Sequence, residues 1–139
     1  MKEKYKFRGK EINSGRWVYG AYISLPEYTP YPVGNKHVPE NHYIIVEQRM
    51  DWGLPVEIVP IQVIPETVGR CTGLTDAENN YLYEGDIVKD DDAALHYVYW
   101  CYTGWELKPC WDKGYTIGLV DDEVTLVGNI HDNPELIKE

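Results

Sequence analysis

The chain has 139 residues and a formal net charge of −10 at pH 7, with 23 acidic and 13 basic side chains. A chain of this length can bury a core and fold without disulfides, as one domain or as two small lobes that share a core. Binding to DNA or RNA needs Lys and Arg to neutralise phosphates, so this charge argues against nucleic acid as a partner.

The aromatic composition favours β-structure. Twelve Tyr and five Trp stand against a single Phe, and these two side chains suit sheet faces that are half buried. The three cysteines form no dense framework, and no apolar run follows the first residues, so we expect a protein of the reducing cytoplasm. No apolar stretch approaches the roughly 20 residues that a membrane helix needs, so we expect no membrane association.

Turn residues divide the chain into short runs of β-forming residues. Strands are predicted at 5–9, 16–25, 42–47, 55–64, 94–102, 105–111, 115–120 and 123–130. Strands at intervals of about ten residues indicate a barrel or a sandwich. Asn133 followed by Pro134 predicts a single helical turn near the end, and the chain otherwise shows little helical periodicity.

Three features refine this prediction of secondary structure. In the strand at 16–25, Trp17, Tyr19, Ala21, Ile23 and Leu25 alternate and therefore share one face. Pro60 cannot donate a ladder hydrogen bond, so 55–64 is either an edge strand or two strands that meet at a bend. The four prolines between 26 and 40 predict a long loop, which either carries a binding function or is a variable connection.

Residues 65–88 predict two bent strands around a polar loop at 75–80. Glycines lie inside both apolar runs, and Gly within a strand marks a bulge or a bend. We therefore expect an N-terminal β subdomain over 1–64 and a small antiparallel β-barrel subdomain over 65–139. Together the two form one unit that is mostly β.

No catalytic or metal-binding pattern is recognisable in the sequence. Cys101 and Cys110 are nine residues apart and have no partner at zinc-site spacing. The acidic run at 78–92 lacks the ordered ligand positions of a calcium loop. Asp86 follows a glycine at the start of a strand, where an Asp side chain usually caps backbone N–H groups. We therefore expect no catalytic residue, metal or cofactor, and we expect that the protein is not an enzyme.

Two segments are candidates for contact with a partner. The strand at 94–102 has aromatic side chains on both faces, which makes Tyr97, Tyr99 and Trp100 candidate contact residues. The first ten residues are basic, and Lys4, Lys6 and Arg8 either contact a partner or protect an exposed edge strand. Pairing between the basic residues 1–10 and the acidic residues 78–92 of another copy would produce a homo-oligomer.

Five motifs in a fixed order resemble the YopX family of phage and prophage proteins: KFRGK at 6–10, GRWVYG at 15–20, TVGRCTGL at 67–74, YEGDIV at 83–88 and GNIHDNPEL at 128–136. The resemblance extends over the whole chain. It implies a mostly β fold with an SH3-like barrel portion, and an origin in a phage or another mobile element of bacteria. It implies no activity and no catalytic residues, because the family has no established activity.

These features together predict a non-enzymatic interaction protein that self-associates in the cytoplasm of a bacterial host. A host or phage protein is a further expected partner. One alternative is an acidic mimic, which would inhibit a host protein by occupying its nucleic-acid site. A second alternative is nucleic-acid binding through the basic N-terminal arm.

Overall fold

The computed structural model of the chain describes residues 6–26, 40–49, 56–111, 116–120 and 122–137. Most of the predicted loop at 26–40 lies outside these residues, as does Lys4. The described residues are mostly β, with 3-10 turns at Pro65–Thr67 and Pro134–Leu136. The second turn confirms the predicted helical turn. Within the described ranges, no helix has the length and apolar character needed to cross a membrane.

The chain divides into two compact units between Val68 and Gly69, where the sequence predicted a boundary between 64 and 65. We call them the N-terminal unit and the C-terminal unit. Each has a hydrophobic core of its own.

The N-terminal unit contains four antiparallel strands in the order β4-β3-β2-β1. They are β1 (Phe7–Lys10), β2 (Trp17–Pro26), β3 (Glu40–Arg49) and β4 (Val56–Gln62). The first two strands form an antiparallel hairpin, with Phe7 opposite Gly20 and Lys10 opposite Trp17. Pro60 lies within the single strand β4, which pairs only with β3 inside this unit. Of the two interpretations of this proline, the edge strand is therefore confirmed, and a bend between two strands is not.

The core of the N-terminal unit lies on one face of this sheet. Val18, Ile44 and Val63 are its buried residues, and partly buried side chains such as Tyr22 and Ile61 pack against them. The alternating set that begins at Trp17 does share a face, but this is the opposite one. We call it the outer face: Tyr19, Ile23 and Leu25 on it are 37%, 40% and 46% exposed.

Gly20 permits a close approach of two strands in this unit. A Cβ atom at this position would overlap the backbone carbonyl oxygen of Ile45 on β3. Any side chain here would push β2 and β3 apart, because a backbone atom cannot rotate away as a side chain can.

The C-terminal unit contains a two-stranded hairpin and a five-stranded antiparallel sheet. The hairpin pairs β5 (Gly69–Thr75) with β6 (Tyr81–Tyr83), and its register shifts between Cys71 and Thr75. This irregularity confirms the bend predicted from the glycines, of which Gly73 has a φ of +82°. The sheet has the order β10-β9-β8-β7-β11. Its strands are β7 (Asp86–Lys89), β8 (Leu95–Cys101), β9 (Gly104–Pro109), β10 (Ile117–Gly118) and β11 (Thr125–Asn129).

The mostly β class is confirmed, but the sheet of the C-terminal unit is open and not closed into a barrel. Among the described residues, β10 and β11 are its two edges and do not pair with each other. The strand β10 has only two residues, which is too short to carry a closing ladder. The core beneath the sheet is formed by five buried residues: Leu82, Val88, Val98, Leu107 and Val124.

Candidate protein-interaction surface

The strands β8 and β9 form a tight hairpin that projects aromatic side chains from both faces. Cys101 pairs with Gly104, which leaves a two-residue turn at Tyr102 and Thr103. Because side chains alternate across a strand, the residues that follow Val98 on its face leave the core as the hairpin extends. Trp100 is the next residue on this face, and its cross-strand partner is Trp105.

These two tryptophans form a compact cluster with an arginine. Their ring centroids are 5.0 Å apart at an interplanar angle of 67°, an edge-to-face arrangement. The Cζ atom of Arg70, on β5, lies 5.1 Å from the ring centroid of Trp100 and 5.2 Å from that of Trp105. Glu84 forms an ion pair with this arginine, with 3.6 Å between Oε1 and the Nε of Arg70. We call these four residues the tip cluster.

The tip cluster presents a large aromatic surface to solvent in a fixed position. Trp100 is 42% exposed, and Tyr102 in the adjoining turn is 99% exposed. Trp, Tyr and Arg are the residues that most often dominate the binding energy of protein interfaces. A cation held over an aromatic face stabilises that arrangement by about 0.5–1 kcal/mol at an exposed site. Because the contact already restrains Trp100 and Arg70, these side chains would lose less conformational entropy on binding.

The opposite face of the hairpin is a second, more polar aromatic surface. The hydroxyl of Tyr99 donates a hydrogen bond to Oε2 of Glu106 on the neighbouring strand, at 2.6 Å. This hydrogen bond to a carboxylate raises the pKa of Tyr99 to about 12. Tyr97 lies beside it with 6.3 Å between ring centroids, and the Nζ atom of Lys108 lies 5.8 Å above the Tyr99 ring.

The structure does not bring the sequence-predicted contact residues into one surface. Tyr97 and Tyr99 lie on one face of β8, whereas Trp100 lies on the other. Lys6 is exposed, but Arg8 is only 5% exposed and stacks on Trp17, with 4.5 Å between its Cζ atom and the ring centroid. The burial of Arg8 leaves it little surface to offer to a partner.

Three members of the tip cluster were not predicted from the sequence. Trp105 lay in a predicted strand, and the short turn before it was a signal that it would face Trp100 across a hairpin. Arg70 and Glu84 gave no such signal, because the contact of Arg70 with Trp100 depends on how β5 packs in the folded unit.

An acidic cleft of about 180 Å³ lies elsewhere in the C-terminal unit. Its floor is apolar and includes Leu107, Ile117 and Val124, and its carboxylates come from residues 90–92 and Glu123. Within the ranges that the structure describes, no three His, Cys, Asp or Glu side chains converge closely enough to hold a metal ion. The combination of an apolar floor and a carboxylate rim suits a basic side chain with a long aliphatic stem.

Two further reactive groups of the C-terminal unit, Cys110 and Asp86, are buried. Cys71, Cys101 and Cys110 are free thiols, and Cys110 is buried. Burial raises the pKa of the Cys110 thiol, which favours the unreactive neutral form. Oδ2 of Asp86 accepts a hydrogen bond from the backbone N–H of Tyr83 at 2.7 Å, which confirms the expected turn cap.

Comparison with known proteins gives a family and a fold. The family model described as YopX protein matches residues 6–138. In a solved structure, protein EF1440 from Enterococcus faecalis, 97% of the chain aligns with 96% of this one at a TM-score of 0.55 and 18% identity. At this identity the likeness concerns the fold alone. No curated protein matches the chain.

Proposed function

The chain belongs to the YopX protein family, and we propose that it is a non-enzymatic, self-associating interaction protein, encoded by a phage or prophage and active in the bacterial cytoplasm. Its tip cluster contacts a further protein, either of the host or of the phage. No cofactor takes part in this function.

The observation that carries this proposal is the exposed Trp100, held between a second indole and a guanidinium. The Trp100 indole is 42% exposed, so much of its apolar surface is in contact with water. A binding partner that covers the ring removes this surface from water, which is favourable. Because Arg70 and Trp105 fix its position, the partner meets a preformed surface and orders few side chains. Tyr102, at the turn beside it, extends this surface.

Charge segregation offers one route to self-association, which salt would weaken. The basic residues at the start of the chain include the exposed Lys6, and the acidic cleft carries four carboxylates. Opposite charges on separate parts of one chain attract between copies even when each copy is strongly acidic overall.

The tip cluster is tested by capture with matched tryptophan variants. Tagged wild-type chain, Trp100→Ala and Trp111→Ala are incubated with lysate of the bacterial host, and the bound proteins are quantified by mass spectrometry. Trp111 is the control because it is also an exposed tryptophan of this unit, at 56% exposure, and lies outside the tip cluster. We expect one protein to be retained by wild type and Trp111→Ala and reduced at least about tenfold by Trp100→Ala, a loss typical of an interface hot spot. Equal recovery by all three chains would refute the role of the cluster.

The acidic cleft favours a second candidate function, that of an acidic mimic. Its carboxylates would occupy the nucleic-acid site of a basic host protein. A partner bound in this way would be released by salt and displaced by added duplex DNA. A partner that withstands both treatments would eliminate the mimic. The other alternative, nucleic-acid binding through the N-terminal arm, would depend on Lys6 and its basic neighbours with little help from the buried Arg8.

A further inference from the structure

The outer face of β2, β3 and β4 is mostly apolar across all three strands, and its polar described side chains are Asn41, Glu47 and Gln62. The pairing register aligns Ile23 with Tyr43 and Ala21 with Ile45, and β4 continues these rows with Gln62 and Pro60. The exposed or partly exposed apolar side chains of this face include Tyr19, Ile23, Leu25, Tyr43, Ile45 and Ile58. Such a surface departs from the usual antiparallel sheet, in which the face toward water is polar.

The exposure of this face is large enough to need an explanation. Ile58 is 67% exposed, and Ile23 and Leu25 on β2 are 40% and 46% exposed. Single exposed apolar residues are ordinary, whereas the largest apolar patch of a monomer, typically about 300–600 Å², is often functional. A sheet with apolar side chains on both faces is expected to be covered by a second layer on each.

We propose that the layer which covers the outer face is the outer face of a second copy of the chain, packed sheet on sheet around a two-fold axis. This proposal rests on the self-association proposed above and assigns a surface to it. The two sheets would lie about 10 Å apart, the spacing at which apolar side chains of facing sheets interdigitate.

The scarcity of charge on this face favours a second copy as the occupant. Among the described side chains on the outer face of these three strands, Glu47 is the only charged one. Two chains of net charge −10 repel each other, and they approach at least cost where neither carries charge. A two-fold interface also requires a surface that is complementary to itself, which a mostly apolar sheet with little charge satisfies and a surface of one charge does not.

The size of the face sets the strength of the dimer. Three strands over seven residues span roughly 14 Å by 23 Å. This is well below the approximately 800 Å² per partner of a typical stable complex, so we expect a weak dimer that forms as concentration rises. Salt should strengthen it, because screening weakens the repulsion between two acidic chains while the apolar contact is unaffected. Pairing of the basic arm with the acidic cleft would show the opposite dependence on salt.

The test is sedimentation velocity of wild type, Ile23→Lys, Ile58→Lys and Val127→Lys over a concentration series, at about 50 mM and about 500 mM salt. Val127 is the matched control, because it is 41% exposed on β11 in the C-terminal unit. We expect a wild-type dimer that tightens at high salt, the same behaviour in Val127→Lys, and at least about tenfold weaker association in both variants of the outer face. Circular dichroism verifies folding. Ile58→Lys decides the matter if Ile23→Lys does not fold, since Ile58 is the more exposed side chain.

Two results would overturn the assignment, and they differ in what they leave standing. A wild-type dimer that both outer-face variants retain, or that weakens with salt, would show that self-association uses another surface. A wild-type chain that stays monomeric at every concentration and both salt levels would refute this assignment and the proposed self-association together. If such a monomer bound a different protein at its outer face, this assignment and the proposed self-association would likewise both be refuted.

Discussion

Asp76 shows how a single buried residue joins distant parts of the C-terminal unit. Its side chain is fully buried and accepts backbone N–H hydrogen bonds from Glu78 at 3.0 Å, Asn80 at 2.7 Å and Leu126 at 3.0 Å. The side-chain amide of Asn80 donates a fourth at 3.2 Å. Burial alone would raise the pKa of Asp76, but these hydrogen bonds outweigh it and lower the pKa below its usual value.

Asp76→Asn is expected to destabilise the protein by about 1–3 kcal/mol at neutral pH. The amide that replaces one carboxylate oxygen is a donor, so at least one buried N–H loses its acceptor. Urea unfolding measures the effect, and Asp91→Asn is the control because it removes the same charge from an exposed position.

The pH dependence of this effect has a defined sign. The folded-state pKa of Asp76 lies below its unfolded value, so its contribution is present above the unfolded pKa and is lost as pH falls through the folded one. The stability difference between wild type and Asp76→Asn should therefore shrink as pH falls below about 4. A difference that stays constant to lower pH would contradict the assigned role.

Of the two buried carboxylates Asp76 and Asp86, only Asp86 was given a structural role from the sequence. Asp86 was expected to cap a turn because its acceptor role is local, and its donor Tyr83 is three residues away. Asp76 lay in a polar loop that gave no sign of burial. Its partner Leu126 is 50 residues away in the chain, and only the folded unit brings the two together.

At the scale of strands, β2 shows what alternation can and cannot predict. The period of two correctly grouped Trp17 with the four alternate residues that follow it. It could not show which face points inward, because Val18 and Tyr22 on the other face are just as apolar. The inner face was decided by packing against Ile44 and Val63 from other strands. Closure of the predicted barrel was equally out of reach, because it depends on whether β10 and β11 meet.

Gly20→Ala tests the close approach of β2 and β3. We expect a loss of about 1–3 kcal/mol or more in unfolding free energy, because the added methyl group meets a backbone oxygen that cannot rotate away. The control is Gly118→Ala on β10, where a Cβ has no atom within 4 Å. That change should be neutral or stabilising, by at most about 1 kcal/mol. Equal effects of the two substitutions would show that the approach at Gly20 is not tight.

At the scale of the whole molecule, a strongly acidic chain retains two apolar or aromatic surfaces. The tip cluster could be predicted in part, since the aromatic strand β8 was evident and its hairpin partner was short-range. Arg70 could not be predicted, because β5 is 30 residues away from Trp100. The outer face combines three strands, so its size emerges only from their register.

The molar mass in solution is a direct measure of self-association. Static light scattering over a concentration series measures this mass at low and at high salt. We expect the mass to rise from the 16.1 kDa of one chain toward twice that value as concentration increases. An interface at the outer face predicts a further rise at high salt. A mass that remains at 16.1 kDa over the whole series at both salt levels would contradict self-association.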